Sequence, residues 1–209
     1  MFESNFAKVE LAETEPYRNL VIAESESFVA VPTIGALVEG WLLIVPREPS
    51  LSVGALTKER RSELQDFCDE VAITIEATYG PVAIFEHGPA SHQTSVGCGV
   101  DYAHVHIAPI RHDLLKLSKQ MFPQIEWTPA KGLSDTGPLH SKQKSYWYLH
   151  QIEYASSPVI GTCVGSHPSQ MFRQVIALAL GQPTKYDWKT NPGVDLMRQT
   201  CERLSQVPA

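Results

Sequence analysis

Residues 97–113, GCGVDYAHVHIAPIRHD, carry the side chains best suited to chemistry in this chain. His104 and His106 are separated by a single residue, and Tyr102 stands two positions before them. On a β-strand residues two apart share a face, so Tyr102, His104 and His106 are expected to point one way and Ala103, Val105 and Ile107 the other. Three readings fit such a pair of imidazoles: core histidines, a metal site, or a nucleophile with its helper. A neutral imidazole has one basic ring nitrogen near pH 7, which serves the last two equally. A zinc site would take His87 as a third ligand beside His104 and His106. A cupin-type site is disfavoured, because no Glu follows His106 at short spacing. Gly97 and Gly99 let backbone N–H groups approach a ligand closely, with Cys98 between them, and Pro109 closes the run.

Positioning these groups requires a sheet. NLVIAESESFVAVPTI (19–34) reads as two short strands around a polar ESES turn, and GWLLIVP (40–46) as a buried strand stopped by Pro46. From Thr57 to about Thr78 the apolar period changes. Leu64, Phe67, Cys68, Val71, Ala72 and Ile75 recur at helical spacing, with Thr57 as N-cap. PVAIFE (81–86) and the histidine segment are further strands, joined by the Gly/Ser/Thr-rich loop HGPASHQTSVGCG. Beyond these, 132–143 reads as an exposed connection and SYWYLHQIEY (145–154) as an aromatic strand. Residues 166–183 form a helix with Ser166 as cap, Pro168 in the first turn and Gly181 at the stop. A final helix places Val194, Met197, Cys201 and Leu204 on one face. Strands and helices alternate without regular βαβ units, so the fold class is α+β with an antiparallel sheet. The expected division is a domain over 1–122 and a C-terminal α/β extension over 123–209, packed on the first and contributing to its site.

Composition narrows the partners. Lys+Arg number 17 against 23 Asp+Glu, a net charge of -6, so a polymeric nucleic acid is disfavoured. A small phosphorylated ligand remains open, because a few local donors hold one phosphate. Cys68, Cys98, Cys163 and Cys201 are scattered and form no metal or disulfide pattern, which fits reduced thiols and a cytoplasmic location. No membrane association is expected: the N-terminal stretch lacks the apolar core of a secretory signal, and WLLIVP is too short to span a bilayer.

The segment Y-A-H-V-H-I-A-P (102–109) resembles the motif of the histidine triad (HIT) superfamily, in which three histidines alternate with apolar residues and a proline often follows. Aligned on Pro109, Tyr102 takes the place of the first histidine, and His104 and His106 those of the second and third. GCGV resembles the glycine step before that motif, with Cys98 where Gln is common. GALVEGWLLIVPREP (35–49) resembles the family's proline-ended strand, with Trp41 where a histidine is frequent, and FEHG (85–88) resembles the step preceding the histidine strand. The similarity covers about the first 115 residues.

The resemblance implies a HIT-like antiparallel sheet packed with a long helix, and a nucleotide hydrolase or nucleotidyltransferase. His104 would attack the α-phosphorus to give a nucleotidyl-histidine, with its other ring nitrogen held by a backbone carbonyl. His106 would donate to a phosphate oxygen or the leaving group, and the amides of Gly97, Cys98 and Gly99 would stabilise the developing charge. Tyr102 donates a hydrogen bond but accepts no proton at neutral pH, which leaves His87 and His92 as candidate acids and makes a nucleotide-binding protein with weakened catalysis the alternative. Glu86 and His87, from FEHG, and Thr33, where the family often has a ribose-binding group, complete the binding set on that side. Gln170 and Arg173 extend it, since the helix beginning at PSQMFR offers an anion its N-terminus and Arg173 a bidentate contact. The covalent route calls for no cofactor and no metal ligand, although Mg²⁺ would accompany a polyphosphate substrate. The partner implied is a small nucleotide or phosphorylated molecule, and a homodimer is compatible with the family.

Overall fold

The polar SES turn begins the sheet: the Ser25 hydroxyl accepts the Phe28 N–H at 3.1 Å and turns β1 (Ala23–Glu24) into β2 (Phe28–Pro32). The computed structural model describes residues 17, 20–92, 94, 96 and 102–205. Strand β3 (Leu42–Pro46) is buried along its whole length, as its unbroken apolar run requires. Thr57 caps α1 (Lys58–Tyr79) by accepting the Arg60 N–H at 3.2 Å, and the helix stops at Gly80, whose φ is +96°. The six apolar residues read at helical spacing are the buried ones.

After β4 (Val82–Gly88) and β5 (Val105–Pro109) come α2 (Leu114–Met121), β6 (Glu126–Pro129), α3 (Thr136–Ser141), β7 (Tyr146–His150), β8 (Val159–Thr162), α4 (Met171–Ala179) and α5 (Val194–Leu204). All eight strands form one sheet of order β1-β2-β3-β5-β4-β7-β8-β6, with every pair antiparallel. The sheet crosses position 122 without a break, because β7 pairs directly with β4 from Ile84↔His150 to Gly88↔Tyr146.

Two cores follow from the period of two along each strand. On one face Phe28, Leu42, Ile44, Val105 and Ile107 pack against Leu64, Phe67 and Ile75 of α1. On the other, Trp41, Phe85 and Trp147 pack against Phe172, Val175 and Ile176 of α4. Helix α4 thus covers the face that carries the histidines. Helix α5 buries Met197, Cys201 and Leu204, and Val194 is only half-buried.

Three sequence expectations need correction. Helix α4 starts at Met171 rather than near Pro168, and Ser166 does not cap it: Gln170 occupies the cap position with φ 51° and makes no side-chain cap bond. The 132–143 segment is not simply an exposed connection. It folds into a short turn and α3, burying Leu133, Thr136 and Gly137 where the chain crosses the outer layer beside α1. The regular part of the histidine strand begins only at Val105, which leaves both Tyr102 and His104 outside the ladder.

Candidate functional site

Strands β4 and β5 build the site. Their register pairs Phe85 with His106, where the ladder ends, and His87 and His104 lie just beyond it on the same side. The His104 and His106 rings lie 4.8 Å apart between centroids, and His87 and His106 lie 5.8 Å apart. Phe85 stacks on His106 at 4.6 Å with 13° between planes, and Phe172 of α4 closes over Phe85 at 4.9 Å and His87 at 5.3 Å. All three histidines are buried.

Hydrogen-bond partners assign each ring its tautomer. His104 Nδ1 lies 2.7 Å from the Tyr102 carbonyl, which only accepts, so Nδ1 carries the proton and the lone pair is on Nε2. Trp41 Nε1–H donates to His106 Nδ1 at 3.1 Å, so the neutral His106 ring bears its proton on Nε2. The Phe172 amide, in the first turn of α4, donates to His87 Nε2 at 3.2 Å, which puts the His87 proton on Nδ1. That amide is therefore taken by His87 and not offered to an anion.

Burial holds all three rings neutral. It lowers His104 below the ordinary 6.5, against the upward pull of the Tyr102 carbonyl. It lowers His106 further, helped by the fields of His104, His87 and Arg173, and brings His87 down to about 3, helped by His104 and Arg173. Below pH 6.5 an unfolded chain takes up protons that these folded rings refuse. The stability they contribute above 6.5 is lost as pH falls below it, for His87 down to about 3. Glu86 acts in the opposite sense: burial raises it from 4.5 to about 7, so it weakens the fold as pH rises across that interval. Three rings outweigh one carboxyl, and urea unfolding at pH 5 is expected to show a lower midpoint than at pH 7. An equal or higher midpoint at pH 5 would contradict the neutral cluster.

The remaining sequence-derived residues separate by location. Tyr102 packs over Val29, Val31, Leu43 and Val45, on the histidine side of the sheet but above β2 and β3, and its hydroxyl donates to the Pro46 carbonyl at 2.9 Å. Thr33 is buried at the end of β2, with its hydroxyl donating to the Ile34 carbonyl at 3.2 Å. Glu86 points to the opposite face from His87, where it accepts the Val53 N–H and the Tyr146 O–H, both at 2.7 Å. Arg173 is buried beside the cluster. Its guanidinium lies 5.2 Å above the Trp41 ring, and it donates to the Tyr186 carbonyl at 2.7 Å and to the Gly35 carbonyl. Gln170 is tied to Asp187 at 3.2 Å. His92 is exposed. Gly97, Cys98 and Gly99 lie outside the described residues.

Trp41 is the residue whose role sequence reasoning missed. Its place in the strand marked it as core, and it is fully buried, but only the β3–β5 pairing shows its indole meeting His106. Trp41→Phe keeps an aromatic ring and removes the N–H. Leaving a buried acceptor without its donor costs about 1–3 kcal/mol, and the His106 ring is expected to populate both tautomers in ¹⁵N spectra. An unchanged His106 spectrum would show that the indole does not set the tautomer.

No protein-family model matches the chain, and no curated protein matches it. Among solved structures, it is similar to a Hit-like protein involved in cell-cycle regulation from Bartonella henselae, determined with an unknown ligand. The identity is 19% and the TM-score 0.39, over 52% of this chain and 81% of that one. Among the described residues, no helix is long and apolar enough to cross a membrane.

Proposed function

We propose that the protein cleaves or transfers a nucleotidyl group through a covalent intermediate on His104. The observation that carries this reading is the bond from His104 Nδ1 to the Tyr102 carbonyl, which leaves the ring's basic lone pair on Nε2. Burial adds to it by keeping the ring unprotonated at neutral pH.

In the first step Nε2 attacks phosphorus and a P–N bond forms. The bond from phosphorus to the leaving group breaks, and that group departs with the electron pair and takes a proton from solvent. The ring then carries a positive charge, which the Tyr102 carbonyl stabilises at Nδ1–H. In the second step water or another acceptor attacks phosphorus and loses a proton to solvent, the P–N bond breaks, and its pair returns to Nε2. His106 serves as a hydrogen-bond donor to a phosphate oxygen. It does not give up its proton, because Trp41 already donates to Nδ1 and a second deprotonation would leave an imidazolate.

The same assignments weigh against a three-histidine metal site. A neutral imidazole ligates through its one lone pair, and those of His106 and His87 already accept from Trp41 and the Phe172 amide. Among the described residues no group of three His, Cys, Asp or Glu side chains is placed to hold a metal ion.

Tyr102 favours a second reading, a nucleotide-binding protein with weakened catalysis: its hydroxyl is bound to Pro46 and adds no third imidazole to the cluster. Incubation with a fluorescent nucleoside phosphoramidate and with a dinucleoside polyphosphate separates the two. Turnover, with one nucleoside monophosphate added to the protein mass after an alkaline quench, is the expected result. Saturable binding without turnover selects the second reading, and neither binding nor adduct would overturn both.

A further inference from the structure

Glu86 belongs to the FEHG segment, yet it sits on the far side of the sheet from the histidines and no step above uses it. Its two carboxylate oxygens are both engaged. Oε1 accepts the Val53 N–H and Oε2 the Tyr146 O–H, while the Tyr146 oxygen accepts the Gly54 N–H at 2.9 Å. The seat is tight, because a Cβ at Gly88 would collide with the Tyr146 ring, and one at Gly54 would come 2.8 Å from the Thr136 carbonyl. Glu86 and Tyr146 thus fix residues 53–54, one end of the segment that follows β3.

The other end of that segment holds the entry to the histidine strand. The Ser50 carbonyl accepts the Ala103 N–H at 2.7 Å, and the Pro46 carbonyl accepts the Tyr102 hydroxyl at 2.9 Å. Between the two ends, Ser50 Oγ donates to the Ser52 carbonyl at 3.0 Å. Tyr102 and Ala103 stand before the regular part of β5, so this segment supplies the bonds that a sheet neighbour would otherwise supply. The peptide held this way carries the Tyr102 carbonyl that accepts from His104 Nδ1.

We propose that Glu86 is a positioning residue for His104: from the opposite face of the sheet, with Tyr146, it clamps residues 46–54, and these hold the carbonyl that fixes the His104 ring. The inference builds on the role proposed for His104, but its primary test needs no substrate. The ¹⁵N spectrum of the His104 imidazole reports which nitrogen carries the proton. The wild-type ring is expected to be almost wholly in the Nδ1–H form. Glu86→Leu removes both acceptors, and Tyr146→Phe removes one hydroxyl while keeping the ring. Both are expected to shift His104 toward a mixture of tautomers, with Tyr146→Phe the milder change and the variant that remains informative if Glu86→Leu does not fold. Glu86→Gln, which still accepts from Val53 and can donate to the Tyr146 oxygen, is expected to restore the wild-type spectrum.

A merely structural Glu86 would lower the unfolding midpoint and leave the His104 spectrum of the folded fraction unchanged, and that result overturns the proposal. Loss of the Nδ1–H form in Glu86→Gln also overturns it, because charge rather than the clamp would then be responsible. If the spectra shift as expected while no substrate is turned over, the positioning stands and the nucleotidyl-transfer reading fails.

Discussion

His104→Ala is expected to lower turnover of a nucleoside phosphoramidate by roughly three orders of magnitude or more, the scale on which loss of a covalent nucleophile is felt, and to abolish the adduct on the protein. The fold is expected to survive. Truncation leaves the Tyr102 carbonyl without the Nδ1–H, and the two packed layers of the core do not depend on the ring. Far-UV circular dichroism and the unfolding midpoint separate loss of chemistry from loss of structure. His104→Gln offers an amide N–H in place of Nδ1–H and has no nucleophilic nitrogen, so nucleotide binding with no adduct is its expected phenotype. A His104→Ala protein that retains a tenth of wild-type turnover would remove His104 from the chemistry.

Arg173→Ala is expected to produce the largest loss of stability of any single change near the site. The side chain is 3% exposed and ties three parts of the chain together: α4, the Gly35 turn between β2 and β3, and the Tyr186 segment. Gly35 itself has φ +78°, and a Cβ there would strike the Trp188 side chain and crowd the guanidinium, so the carbonyl is presented from a position that only glycine fills without strain. Each hydrogen bond from a charged donor is worth about 1.5–3 kcal/mol, and two are lost with the cover over Trp41. At about 2–4 °C per kcal/mol for a chain of this size, a drop in Tm of about 10 °C is expected. Arg173→Lys keeps the charge but has no planar fork to reach both carbonyls, so it should recover about half. The sequence reading gave Arg173 a phosphate contact, and kinetics distinguish the two roles. A phosphate ligand would raise KM at a temperature where the variant is folded, whereas a brace acting through Trp41 on His106 would lower kcat. A Tm within 2 °C of wild type for Arg173→Ala would contradict the brace.

Much of the fold was legible because it depends on local periods. The long helix could be read from Leu64 to Ile75 with Thr57 as its cap, since helical spacing and a capping hydroxyl act within a few residues. The start of α4 was misread for a related reason. Ser166 and Pro168 carry the local signs of a helix start, but the Phe172 amide is satisfied by His87, 85 residues away in the chain, and the helix begins where that bond requires.

By itself the sequence determined that His104 and His106 point to one side with Val105 and Ile107 to the other, because the period of two is a property of the extended backbone. It also determined an α+β chain whose apolar strands must be covered. Only the tertiary structure decided which nitrogen of each histidine carries its proton, because Tyr102, Trp41 and Phe172 reach the rings through backbone turning, the β3–β5 register and helix docking. It alone set the Glu86 carboxylate on Val53 and Tyr146, since the groups that a strand residue meets are decided by strand pairing and by the layers that cover the sheet.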